Sequence, residues 1–289
     1  MKALLPLLGI LGTLAIAHGS AAQGSGSYAS VNGVRMYYEL HGDGFPLVLI
    51  HGGGSTIGTT FGRVLPELAR SHRVIAVELQ AHGHTADIGR PLSFEQDADD
   101  VAALLRQLGV RQADIFGFSN GASTTLQLAI RHPEFVRRIV VASTMVRRDG
   151  AYSWLWDGLA HAELTQMPRE YRDAFLKINP GSSALRTMFE RDVARMRSFR
   201  DVPEADIRSI QAPTLIIIGD HDVVRPEHAV EMYRLLPRAE LAILPGGHGE
   251  YIGEITTVRP GRHDYPGLAI IEEFLGEAGA RNTNADARP

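Results

Sequence analysis

Asp114-Ile-Phe-Gly117-Phe-Ser119-Asn-Gly121-Ala-Ser-Thr-Thr-Leu-Gln-Leu-Ala-Ile-Arg131 is the stretch on which the reading of this chain turns. Residues 114–118 form an apolar run that reads as a buried strand, and residues 122–131 carry apolar side chains at helical spacing. Between them Gly117-Phe-Ser119-Asn-Gly121 fits G-x-S-x-G, the pattern of a sharp strand-to-helix turn with a serine at its apex. Such a turn forces an unfavourable backbone on the serine and brings strand and helix very close together. Side chains two residues to either side would then collide, which gives Gly117 and Gly121 a reason to be glycine. The pattern alone recurs by chance as an ordinary glycine-rich turn. Its place between a strand and a helix is what gives it weight.

Outward from this turn the same alternation repeats. Residues 46–50, 74–79, 139–142, 214–218 and 241–244 are further strand candidates, continuous in apolar residues as strands buried on both faces are. Ser93 with Gln96 predicts a capping box opening a helix to about Leu108, and residues 227–236 and 268–275 are the other helical patterns. Residues 28–40 read as two strands around Asn32-Gly33, a hairpin-turn dipeptide. A hairpin followed by strand–helix alternation predicts an α/β fold: a mostly parallel sheet covered by helices on both sides. The alternation stops at residues 145–210, which hold both tryptophans and several methionines and phenylalanines. This stretch is expected to be a helical cap, dividing the α/β core into residues 23–144 and 211–279. Most of its large residues are expected to pack the cap onto the core. Met145, Trp154 and Trp156 are the candidates to line a substrate pocket.

A serine hydroxyl attacks only when a neighbouring base takes its proton. His248, in Leu244-Pro-Gly-Gly-His248-Gly just past the last strand candidate, is the expected base. A carboxylate must then fix the imidazole tautomer and stabilise its charged form. Two aspartates compete in Gly219-Asp220-His221-Asp222; Asp222 is the choice, with Asp220 bracing the loop. The tetrahedral intermediate needs donors, expected from the backbone N–H of Asn120 and of Gly53 in His51-Gly-Gly-Gly54-Ser55. His51 is read as bracing that loop. A tight glycine turn without ligand contact is the competing, less favoured reading of the loop.

Residues 46–54, 117–121 and 219–226, with Gly246-Gly-His248, resemble the α/β-hydrolase superfamily, within its capped esterase, lactonase and carbon–carbon hydrolase branch. The resemblance covers about residues 28–275. It implies an eight-stranded sheet with a cap over the active site, and its nucleophile–acid–base order matches Ser119, Asp222 and His248. The family's frequent Asp-x-x-Gly-His-Gly-x-Ser stretch stands here as Glu78-Leu-Gln-Ala-His82-Gly-His84-Thr, a departure that bears on the pocket floor. Members with an aspartate nucleophile are disfavoured by Ser119.

The expected function is hydrolysis of carboxylic esters or lactones through an acyl-enzyme on Ser119, with no metal and no organic cofactor. A carbon–carbon bond hydrolase with the same triad is the alternative, as is a binding protein of low turnover; a perhydrolase side reaction is open to the same triad. His82-Gly-His84 with Asp87 superficially suggests paired metal ligands, but the aspartate lies at the wrong offset and the chain has no cysteine. Arg147 and Arg148 could bind a carboxylate, although solvated surface arginines are the plainer reading. The partner expected is a small molecule. A net charge of −4 and no basic stripe exclude a nucleic-acid footprint. Lys2, an apolar run over residues 3–17 and the small residues that follow read as a signal peptide over residues 1–22, predicting export, periplasmic or secreted, with no membrane span in the mature form. Residues 280–289 are expected to be a disordered tail.

Overall fold

The computed structural model describes residues 26–261 and 264–276. The leader expected at 1–22 and the tail expected at 280–289 lie outside the described residues.

Eight strands make one sheet: β1 (Gly26–Val31), β2 (Val34–His41), β3 (Phe45–Ile50), β4 (His72–Glu78), β5 (Ala113–Phe118), β6 (Val136–Ala142), β7 (Thr214–Gly219) and β8 (Ala239–Leu244). Their order is β1-β2-β4-β3-β5-β6-β7-β8; β2 runs antiparallel to both of its neighbours, and β4 through β8 are parallel. The β1–β2 hairpin turns on Asn32 and Gly33, both at positive φ (47° and 87°), as the hand of a two-residue hairpin requires. The central strands are apolar throughout because both faces are covered. Val48 and Ile50 of β3, Ile115 of β5 and Ile216 of β7 point to one core, while Leu47, Leu49, Phe116 and Leu215 point to the other.

Helices α1 (Ile57–Phe61) and α2 (Leu65–Leu68) follow β3, and α3 (Phe94–Gln107) and α4 (Asn120–Arg131) flank β5 in sequence. Between β6 and β7 run α5 (Ser153–Ala160), α6 (Arg169–Ile178), α7 (Ser182–Arg197) and α8 (Glu204–Ser209); α9 (Pro226–Leu235) and α10 (Pro266–Gly276) close the chain. Buried residues of α3, α4 and α9 join the first core, and those of α1, α2 and α10 the second. The capping box at Ser93 is only half formed. Ser93 Oγ accepts the Gln96 N–H, but the Gln96 side chain reaches forward to Asp100 at 3.0 Å. Its amide nitrogen donates to that carboxylate one turn on, and the side chain is turned away from the Ser93 N–H.

β3 connects to β4 on one side, while β5 lies on the other side of β3. At this reversal the loops after β3 and β5 diverge and leave a crevice at the carboxyl ends of the strands, where open α/β sheets bind ligands.

Candidate active site

The turn after β5 stands at that crevice. Ser119 has φ 54° and ψ −120°, a strained backbone for a residue with a side chain. The close approach expected there is present. A Cβ on Gly117 would lie 2.2 Å from Gly121 O, and one on Gly121 would lie 2.1 Å from Ile50 O. Ser119 N–H donates to Ala142 O at 2.8 Å, tying the turn to β6.

The structure brings Ser119, His248 and Asp222 together from the ends of three strands. His248 Nε2 lies 3.1 Å from Ser119 Oγ, and His248 Nδ1 lies 2.7 Å from Asp222 Oδ1. Burial by itself would lower the His248 pKa; the charge of Asp222 and its hydrogen bond outweigh this and raise it above the usual value. Asp222 shows the converse. Burial favours its neutral form, but His248 and a hydrogen bond from Ser143 hold it below the usual carboxylate range. It also accepts the N–H groups of Val223 (2.6 Å) and Val224 (3.3 Å). Asp220 is exposed and does not reach His248. It accepts the Gly246 N–H at 2.9 Å and pairs with His221, holding the two loops side by side.

The glycine loop after β3 is tied at three points. Gly52 N–H donates to Thr60 Oγ1, Gly53 O accepts from Ser55 Oγ, and Gly54 N–H donates to Asp192 Oδ2. The N–H groups of Gly53 and Asn120 have no acceptor among the described residues, and both residues line the same cavity as Ser119. His51 is fully buried. Its Nε2 accepts the Leu79 N–H, which leaves Nδ1 to donate to Gly52 O, and burial pushes its pKa down to about 3. It is a neutral brace.

The cavity over Ser119 has a volume of about 610 Å³. Its floor is Gly53, Ser119 and His248; α5, α6 and α7 supply its roof, through Trp154, Leu155, Tyr171 and Met196. Met145 and Trp154 therefore line it. Trp156, expected beside them, does not: its ring lies under the Arg148 guanidinium at 4.0 Å and its Nε1 donates to Arg148 O. Two residues apart on a helix, the two indoles point to different sides. Arg147 pairs with Asp149 and Glu231, so neither arginine faces the cavity. His82 and His84 part company as well, His82 to Asp192 and His84 to Glu78.

Three residues at the site escape a reading of the sequence. Ser143, at φ 55°, sits between Asp222 and Tyr251, whose hydroxyl is 2.7 Å away. Its one available signal is position, since it directly follows β6 as Ser119 follows β5. Asp192 lies mid-helix in α7 and carries no signal in the sequence.

The Alpha/beta hydrolase family matches residues 47–254. The chain is 29% identical over 279 residues to 2-hydroxymuconate semialdehyde hydrolase of Pseudomonas sp. (strain CF600), covering 86% of this chain and 93% of that protein. It is 28% identical over 244 residues to the pimeloyl-[acyl-carrier protein] methyl ester esterase of Nitrosospira multiformis, covering 73% and 90%. In fold it resembles the 2-hydroxy-6-oxo-6-phenylhexa-2,4-dienoate hydrolase of Rhodococcus sp. strain RHA1, with a TM-score of 0.72, 17% identity, and 88% and 99% of the two chains covered.

Proposed function

The chain belongs to the alpha/beta hydrolase family, and on that premise we propose that it hydrolyses neutral carboxylic esters or lactones through an acyl-enzyme on Ser119. The observation that carries this reading is the pair of contacts made by one imidazole, 3.1 Å to Ser119 Oγ and 2.7 Å to Asp222 Oδ1. Ser119 Oγ attacks the carbonyl carbon while its proton passes to His248 Nε2. The oxyanion so formed is held by the free N–H groups of Gly53 and Asn120. Collapse expels the alkoxide, which takes the proton from His248; for a lactone the freed alcohol stays attached to the acyl group. Water then attacks the acyl-enzyme with His248 as base, and Ser119 recovers its proton as the acid leaves. Asp222 keeps Nδ1 protonated and stabilises the imidazolium in both halves of the cycle.

The cavity wall supports a neutral substrate. Its acidic side chains are Asp192 and Glu163, and among the described lining residues there is no lysine or arginine. A substrate carboxylate taken into this cavity would be desolvated without a cation to meet it, a cost of several kcal/mol. Hydrolysis of a carbon–carbon bond by the same triad is the second reading, favoured by the name of the Pseudomonas relative.

Steady-state hydrolysis of p-nitrophenyl esters from acetate to dodecanoate, with lactones alongside, tests the proposal. Multiple turnover is expected in the wild type, together with a loss of about 10³-fold or more in Ser119→Ala that remains folded. A p-nitrophenyl hemisuccinate is expected to react at least ~10-fold more slowly than the butyrate. Turnover of a vinylogous dienoate ketone in place of any ester would transfer the assignment to carbon–carbon hydrolysis. Stoichiometric labelling by a serine-directed phosphonate without turnover would favour a binding role.

A further inference from the structure

A buried chain of charges joins α7 to the loop that carries Gly53. Asp192 Oδ2 accepts the Gly54 N–H at 2.5 Å and lies 2.8 Å from His82 Nε2. Arg195, one turn on, pairs with Asp192 Oδ1 and, at 2.7 Å, with Asp97 of α3. Both histidine and arginine are almost wholly enclosed, at 0% and 4% exposure. Charges so buried persist because each has an opposite partner within hydrogen-bond reach.

The placement of this chain matters more than its strength. Gly52, Gly53 and Gly54 are three consecutive residues without side chains, and Gly54 adopts φ +66°. Such a segment samples many backbone conformations unless its polar groups are pinned. The core supplies two pins, Thr60 to Gly52 N–H and Ser55 to Gly53 O; the third, at Gly54 N–H, comes from the helices inserted between β6 and β7. Asp192 and Asn120 clasp the middle residue between them. A Cβ on Gly53 would lie 2.3 Å from Asn120 Nδ2 and 3.3 Å from Asp192 Oδ2.

We propose that Asp192 is a positioning residue for the oxyanion site. By taking the Gly54 N–H it fixes the Gly53–Gly54 peptide, and across the Gly53 Cα this limits the neighbouring Gly52–Gly53 peptide, whose N–H is the Gly53 donor aimed at the carbonyl carried by Ser119. This rests on the acyl-enzyme reading above. A carboxylate beside a developing oxyanion would ordinarily oppose it. Here the His82 imidazole and the Arg195 guanidinium offset that charge, so Asp192 can align the donor without repelling the intermediate. The inserted helices then do more than shape the pocket: one of them completes the catalytic geometry of the core.

The test compares Asp192→Ala, Asp192→Asn and Asp97→Asn by steady-state hydrolysis of p-nitrophenyl butyrate and by hydrogen–deuterium exchange of the peptide covering Gly52 to Ser55. Asp192→Ala is expected to lower kcat by about 10–100-fold with KM changed less than about threefold, since misaligned donors lose transition-state stabilisation. Exchange at the glycine loop should quicken. Asp192→Asn, which keeps an acceptor of the same shape, is expected to recover at least half of the logarithmic loss. Asp97→Asn, which loosens the same charge chain away from the loop, is expected to keep kcat within about twofold. Should the alanine variant not fold, Asp192→Ser is expected to give its pattern. Equal losses in Asp192→Ala and Asp97→Asn, or an unchanged kcat in Asp192→Ala, would overturn the positioning role. If the wild type itself shows no serine-dependent turnover, the acyl-enzyme reading fails instead. Loop exchange in Asp192→Ala then still decides whether Asp192 holds Gly54, and unchanged exchange would overturn the contact as well.

Discussion

At the scale of single residues, the protonation of His248 decides when the site can work. Its imidazole must be neutral to take the Ser119 proton, while the Asp222 carboxylate 2.7 Å away favours the charged form and raises the pKa. The base form is therefore lost earlier, on going down in pH, than in an isolated histidine of pKa about 6.5. The expected outcome is that kcat/KM for an ester falls about tenfold per pH unit on its acid side, with a midpoint above about 6.5. A profile measured from pH 5 to 9 with its midpoint well below that value would remove Asp222 as the dominant influence. The types of Ser119, Asp222 and His248 were readable because each follows an apolar strand in a glycine-marked loop. Ser143 offered only its position directly after β6, with no motif around it, and Asp192, mid-helix in α7, offered none, so their contacts to Asp222 and Gly54 left nothing for the sequence to mark.

At the scale of elements, legibility followed burial. The central parallel strands announced themselves as unbroken apolar runs because helices cover both of their faces. α1 and α2, of five and four residues, are too short to show a helical period and went unread. Trp154 and Trp156 could not be told apart by composition, since both are large and apolar. Only the helical turn between them sends one to the cavity and the other under Arg148. The elbow itself allows a sharper test. In Gly121→Ala the new methyl would meet Ile50 O at 2.1 Å and His51 O at 2.5 Å, both backbone atoms of a buried strand end that cannot swing aside. A loss of more than about 3 kcal/mol in urea unfolding is expected. Gly158→Ala in α5 is the contrast: a Cβ there has nothing within 4 Å, so the helix should gain about 0.5–1 kcal/mol. A tolerated Gly121→Ala would mean that β3 and α4 do not pack as closely as described.

At the scale of the whole molecule, the buried charge chain ties α7 to α3 and to the glycine loop, and it is one of the features that make stability depend on pH. His82 is buried, which alone would lower its pKa, yet the charge and hydrogen bond of Asp192 raise it above the ordinary value. For such a histidine the stabilisation is complete below the unfolded pKa of about 6.5 and disappears as pH rises through the folded value. Asp97 works in a different window. Burial pushes its carboxyl up to about 6, so its contribution changes below that pH and is flat above it. Asp192, held below the usual range by His82 and Arg195 against its burial, responds only in acid. From pH 6.5 to 9 the chain's own titration therefore reduces to His82. His84, raised by Glu78, and His228, lowered by burial, are common to wild type and variant and cancel in the difference. The melting temperature of the wild type is expected to fall over this range by more than that of His82→Gln. Each pKa unit of elevation corresponds to about 1.4 kcal/mol, or roughly 3–6 °C for a domain of this size. Parallel curves would show that Asp192 does not hold a charged His82, and that Arg195 alone balances the carboxylate beside the glycine loop.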